Sequence, residues 1–190
     1  MLKLQSTIGR AVFAVLAAFA VLLCGCGRAL PPSSFASEGP MLRPERFFGG
    51  QTRSTGVLET AAGAPSQRFS VQGQGRALSD GRFYLDQTVA FEGKPATTRR
   101  WVISAVDAHH YVASLTDAGG AVHAQAYGNL FHLTYPMKGL PLGGVEQWLY
   151  LQPDGCTVMN EAVVRVAGLA VRRLSERISR VDGACAPRAS

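Results

Sequence analysis

"QRFSVQGQGRALSDGRFYLDQTVAFEG", residues Gln67 to Gly93, decides the fold. Phe69 and Val71 alternate with polar residues, and Gly73 and Gly75 continue their face. Beyond Asp80-Gly81, Phe83, Leu85, Val89 and Phe91 share one face while Tyr84, Asp86 and Thr88 stand opposite. Successive side chains of a strand point to opposite sides of its sheet, so this period of two predicts strands with one buried face. Asp-Gly tolerates positive φ, which suits a tight turn between antiparallel neighbours.

The same pattern recurs on the carboxyl side. "RRWVISAV" aligns Trp101, Ile103 and Ala105, "HYVASLT" aligns Tyr111, Ala113 and Leu115, and Gly119-Gly120 then turns the chain. "NLFHLTYPM" aligns Phe131, Leu133, Tyr135 and Met137; "VEQWLYL", Asp154-Gly155 and "CTVMNEAVVRV" follow. Turn signals separate short apolar runs throughout, and neither a long helix nor an internal repeat precedes Gly168. The segment Gly168–Val181, "GLAVRRLSERISRV", fits helix and strand equally: Leu174, Ile178 and Val181 recur at helical spacing, and Leu, Arg and Glu form helices well. About nine or ten consecutive antiparallel strands make a sandwich or an up-and-down barrel, and closure, which removes exposed edges, favours the barrel. Mid-strand Gly73 and Gly75 would allow its bends. A barrel of this strand number can enclose one small ligand.

The amino terminus is of another kind. Lys3 and Arg10 precede an apolar run from Ala11 to Leu23, and no acid occurs before Glu38. A positive start and about a dozen apolar residues describe a secretory signal. The run is short of the roughly 20 residues that span a bilayer. "LCGC" (Leu23 to Cys26) resembles a bacterial lipobox, with Gly25 directly before Cys26. That resemblance implies a signal peptide over 1–25, acylation of Cys26, and loss of Cys24 with the signal. Two or three acyl chains, at about 0.8 kcal/mol per buried methylene, anchor stably without a spanning helix. Gly27 rather than Asp after the acceptor, by similarity to Gram-negative lipoproteins, implies the outer membrane and a periplasm-facing domain in the cell envelope. Residues 26–43, rich in Pro, Ser, Ala and Gly, read as a flexible tether, 44–182 as the barrel and 183–190 as a tail.

Loss of Lys3 and Arg10 leaves 17 basic against 13 acidic side chains, so the formal charge falls from +6 to +4. The arginines are scattered, which gives nucleic-acid binding little support and leaves mild attraction to anionic headgroups. Two cysteines remain beyond the acceptor, Cys156 and Cys185. In an oxidising compartment a leftover pair bridges, closing a loop of roughly 28 residues worth about 3 kcal/mol on the entropy model. Two free thiols are the alternative, with Cys185 in the tail.

No motif for catalysis stands out. His109, His110, His123 and His132 have no zinc spacing. There is no G-x-S-x-G serine, no partnered cysteine and no phosphate loop, and Asp86, Glu92, Glu146 and Glu161 show no pairing. The sequence reads as a non-enzyme without cofactor or metal. Apolar binding is the remaining chemistry: Phe83, Phe91, Trp101, Phe131, Tyr135, Trp148 and Tyr150 supply the large faces a lipid-accepting barrel needs, or else fill its core.

From Arg43 to Arg180 the chain also resembles a family of bacterial lipoproteins, the DUF3833 family. The likeness runs through "FFGG", "GVLET", "RFSV", "LDQTVAFEGK", "RRW", "TDAGGAVHAQAYGNLFHLTY", "VEQWLYL" and "MNEAVVRVAG", in order and spacing. It implies a lipocalin-like (calycin-like) barrel and a place in the envelope, with no established activity. It also favours a strand after Gly168. Where the family pattern carries acids this chain has Gln87 and Gln147, and Val166-Ala167 stands where a base precedes the glycine. Expectation therefore centres on a lipid-anchored carrier of an acyl chain or other small apolar ligand. A scaffold lipoprotein with a packed barrel is the alternative, and an envelope-lipid-modifying enzyme comes third. Protein partners are left open.

Overall fold

The computed structural model describes residues 29–181. A 3-10 turn (Pro32–Phe35) and one helical turn, α1 (Pro44–Phe47), precede ten strands. These are β1 (Gly50–Thr60), β2 (Pro65–Ala77), β3 (Phe83–Phe91), β4 (Thr97–Ala105), β5 (His110–Leu115), β6 (Val122–Tyr127), β7 (Leu130–Pro136), β8 (Gly143–Leu151), β9 (Thr157–Val166) and β10 (Leu169–Arg180). Each pairs antiparallel with the next, and β10 pairs with β1 to close a ten-stranded up-and-down barrel. The architecture is the all-β barrel expected from the period-two runs.

The register follows the alternation. Phe83, Leu85 and Val89 are buried, and opposite them Trp101 and Ile103 on β4 do the same. The ambiguous last segment is a strand: Leu174 pairs with Leu58, Ile178 with Ser54, and Arg173 and Arg177 face outward. Residues four apart share a face in both a helix and a strand, so Leu174 and Ile178 satisfied both templates. The open edges of β9 and β1 decide it, because each lacks a second partner without β10.

One end of the barrel is plugged by the chain before β1. Leu42 is fully buried, Pro44, Phe47 and Phe48 are buried beside it, and the two phenylalanine rings meet edge to face at 4.9 Å. The Leu42 N–H donates to Gly128 O at 2.8 Å. Arg43 Nη1 donates to Ala108 O and to the Tyr111 hydroxyl, the latter at 3.3 Å, and Arg180 donates to Arg46 O at 2.8 Å. Within the stretch expected to be a tether, Phe35 packs on Tyr150 at 5.8 Å, so this part of it touches the barrel before Arg43. Gly75 is explained by the plug rather than by a bend: a Cβ there would lie 2.0 Å from Phe48 O. Gly73 answers to β1 instead, since its Cβ would lie 2.4 Å from Oγ1 of its cross-strand partner Thr52.

The signal segment, Cys24, Cys26, Cys185 and the tail lie outside the described residues. Cys156 is disulfide-bonded; its expected partner, Cys185, is among the residues not described. Among the described residues no helix is long and apolar enough to cross a membrane.

Candidate functional site

The plug divides the interior into a filled end and a partly hollow middle. Phe83, Ile103, Tyr111, Leu151, Val158 and Ile178 pack with Phe47 and Phe48 in one core cluster. A second cluster, Phe69, Val71 and Val89 with Leu58, Phe91 and Leu174, gathers residues of β1, β2, β3 and β10. Mid-barrel, the chain leaves a free volume of about 50 Å³ bounded by Phe48 and by residues of β3 through β10. At roughly 10–15 Å³ per water on this measure, that is room for a few waters.

The two sides of this cavity differ. Ala113, Val122, Ala124, Phe131 and Leu133, from β5, β6 and β7, form an apolar wall. Gln87, Arg99, Gln147, Asn160 and Glu176 bring polar groups from β3, β4, β8, β9 and β10. Gln87 Oε1 accepts from Arg99 Nε at 2.8 Å and from Trp101 Nε1 at 2.9 Å, which fixes the indole. Glu176 is 6% exposed; one carboxylate oxygen accepts from the Ser54 hydroxyl and the other from Asn160 Nδ2 at 2.8 Å. Asn160 is 4% exposed, and its Oδ1 is buried without a partner. Tyr135 stands edge-on to Trp101 at 5.9 Å, and burial pushes its phenol above the ordinary range.

The seven aromatic candidates separate. Trp101 and Phe131 line the cavity, and Tyr135 packs on Trp101. Phe83 is core, and Phe91 lies in the second cluster against Phe69 at 5.7 Å. Trp148 and Tyr150 are not brought to the interior: Val145, Gln147, Leu149 and Leu151 hold the inward phase of β8. Trp148 lies against His132, 5.5 Å between centroids, and Tyr150 against Phe35.

The acids weighed for catalysis point outward. Asp86 accepts from Arg100 Nη2 at 3.0 Å, and that guanidinium holds its carboxyl below the usual range. Glu146 accepts from His132 Nε2 at 3.1 Å. Asp107 accepts from the backbone N–H groups of His109 and His110, which lower its carboxyl to about 2. Among the described residues no group of three or more His, Cys, Asp or Glu side chains could hold a metal.

Of the polar residues of the cavity, Gln87 and Gln147 stood out in the sequence only as departures from the family pattern and Asn160 as a polar contact of unassigned face, while Arg99 and Glu176 were missed. Their signal was phase: Gln87 sits between inward Leu85 and Val89, Gln147 between Val145 and Leu149, Asn160 between Val158 and Ala162, Glu176 between Leu174 and Ile178. A polar residue in the apolar phase of a strand marks a buried polar group.

Comparisons with known proteins add the following. The family model described as a protein of unknown function (DUF3833) matches residues 20–180. No curated protein matches the chain. A crystal structure of a protein of unknown function from the DUF3598 family of Nostoc punctiforme is similar at TM-score 0.56 and 18% identity, covering 76% of this chain and 51% of that one. The chain thus spans about half the length of that protein. The S-type phycobiliprotein lyase CPES of Guillardia theta is similar at TM-score 0.58 and 10% identity, covering 75% of this chain and 94% of the lyase. At such identities both likenesses show the fold, a lipocalin-like barrel.

Proposed function

The chain belongs to the DUF3833 family, and we propose that it is an envelope lipoprotein whose barrel binds a small molecule with an apolar body. Acylation at Cys26 would hold it on the periplasmic side of the outer membrane, and an acyl chain is the ligand body of first choice. The observation that carries the binding half is the uneven interior. Phe47 and Phe48 seal one end, while mid-barrel keeps a cavity between an apolar wall and buried polar side chains. A barrel selected for packing alone gains nothing by leaving Asn160 Oδ1 unpartnered, since a buried unsatisfied polar atom costs roughly 1–3 kcal/mol. The lipobox at Leu23–Cys26 supports the anchor. Binding without catalysis is part of this reading, and the lyase activity in a neighbour's name stays with that neighbour.

A packed scaffold that recruits a protein partner is the second reading, favoured by size. The cavity is about 50 Å³, against several hundred for ordinary ligand sites. Under the binding reading, half-buried Arg99 and Tyr135 give way to the ligand's body.

A Cys26→Ser form, exported without acylation, provides the test. Native mass spectrometry with organic extraction is expected to find a bound molecule, and the protein should take up labelled fatty acid. Empty protein that takes up nothing refutes binding. Labelled palmitate incorporated equally into the unaltered protein and the Cys26→Ser form refutes the anchor.

A further inference from the structure

The buried carboxylate of Glu176 names the chemistry of the ligand's polar end. Both of its oxygens accept neutral donors, the Ser54 hydroxyl and the Asn160 amide, and neither neutralises its charge. Among the described residues no Lys, Arg or His forms an ion pair with it. A carboxylate out of water without a cation is poorly compensated, because two hydrogen bonds replace only part of its hydration. Beside it Asn160 Oδ1 presents a second acceptor with no donor. Arg99 lines the same cavity, but it stands on β4 rather than β10, and its Nε is committed to Gln87, its cross-strand neighbour on β3.

Two acceptors on one wall, one of them anionic, call for a cationic donor. We propose that the barrel selects a molecule that leads with a protonated primary amine, seated on the Glu176 carboxylate and Asn160 Oδ1. This deepens the binding reading above and rests on it. The ammonium supplies three N–H donors, enough for both acceptors and one more, and its charge replaces the missing counter-ion. The apolar body follows along Trp101, Phe131 and Leu133, which border the same cavity. A carboxylate entering first would meet Glu176 as a like charge and leave Asn160 Oδ1 unserved.

Three eight-carbon probes separate the outcomes: octylammonium, octanol and octanoate, titrated calorimetrically at neutral pH into the Cys26→Ser protein. Octylammonium should bind at least tenfold tighter than octanoate, with octanol between them. Glu176→Gln keeps the shape and removes the charge, its amide oxygen still accepting from Asn160 Nδ2 while its NH2 donates to the Ser54 hydroxyl, and should reduce octylammonium to the affinity of octanol. Octanoate binding as tightly as octylammonium, or an order unchanged by Glu176→Gln, overturns the amine and leaves the binding reading in place. No binding of any of the three overturns both. Should Glu176→Gln fail to fold, the order of the three probes on the Cys26→Ser protein decides alone.

Discussion

Truncating the plug is the sharpest test of how the barrel is closed. Phe48 is 5% exposed and borders the cavity from the plugged end. Phe48→Ala removes roughly 120 Å² of apolar surface from burial, about 3 kcal/mol at 25 cal/mol per Å², and the space left behind raises this to about 3–5 kcal/mol. For a domain of this size each kcal/mol lowers the melting temperature by about 2–4 °C, so a fall of roughly 6–20 °C is expected. Gly75→Ala attacks the same contact from β2, because its Cβ would lie 2.0 Å from Phe48 O. That neighbour is backbone and cannot rotate away, so the plug itself must shift. Since a plug displaced by Gly75→Ala already gives up part of the packing of the Phe48 ring, the double variant should lose less than the sum of the two single losses. Urea denaturation followed by far-ultraviolet circular dichroism measures all three. A Phe48→Ala loss below about 1 kcal/mol, or strict additivity, refutes the plug as part of the core.

Gln87→Leu leaves Trp101 Nε1 and Arg99 Nε without their shared acceptor, and should cost about 1–3 kcal/mol in the same denaturation assay. Asp107 has its carboxyl lowered to about 2 from 3.8 by the N–H groups of His109 and His110. Its contribution to stability is present above the unfolded value and is lost as pH falls through the folded one. Melting of the unaltered protein should therefore fall more steeply than that of Asp107→Asn between about pH 4 and pH 2. Leu142 holds φ at 56° with its side chain 82% exposed, so Leu142→Gly relieves a left-handed residue without losing packing. A gain of about 0.5–1 kcal/mol is expected, after the extra chain entropy of glycine. Ala124→Val places two further carbons at the cavity wall; stability should change by less than about 1.5 kcal/mol while uptake of alkyl probes falls at least tenfold.

Alternation was enough to read the closed sheet, since an inward phase of Phe, Leu, Val and Ile repeats through β2, β3 and β4 whatever else the residues do. It failed where two periods coincide. Leu174 and Ile178 lie four apart, and only pairing with β9 and β1, which is non-local, separates strand from helix. Large aromatics misled for a different reason. Trp148 and Tyr150 have the size of core residues but stand in the outward phase of β8, where His132 and Phe35 cover them. Phase outranks size. The docking of Leu42 to Phe48 as a plug was also hidden, because so short a stretch carries no period and its place depends on a barrel end formed by residues far along the chain.

The distribution of polar residues around the barrel limits what the interior can be. If the cavity were a packing defect, its polar groups would be scattered among the walls or paired to completion. Instead Gln87, Arg99, Gln147, Asn160 and Glu176 come from β3, β4, β8, β9 and β10, while β5, β6 and β7 contribute Ala113, Val122, Ala124, Phe131 and Leu133. The alanines make the space, since a larger side chain at either position would point into it. The polar side chains set its chemistry, and two of them, Asn160 and Glu176, are buried. A void with one wholly apolar wall and polar groups confined to the opposite, mixed side matches an amphiphilic molecule better than it matches water, which finds partners on one side only. A packed scaffold would lose nothing, and would be spared the cost of an unsatisfied Asn160 carbonyl, by replacing that polar wall with leucine and valine. Under the proposed binding, half-buried Arg99, which lines the cavity, and Tyr135, which packs on Trp101, are the side chains that would move to lengthen it.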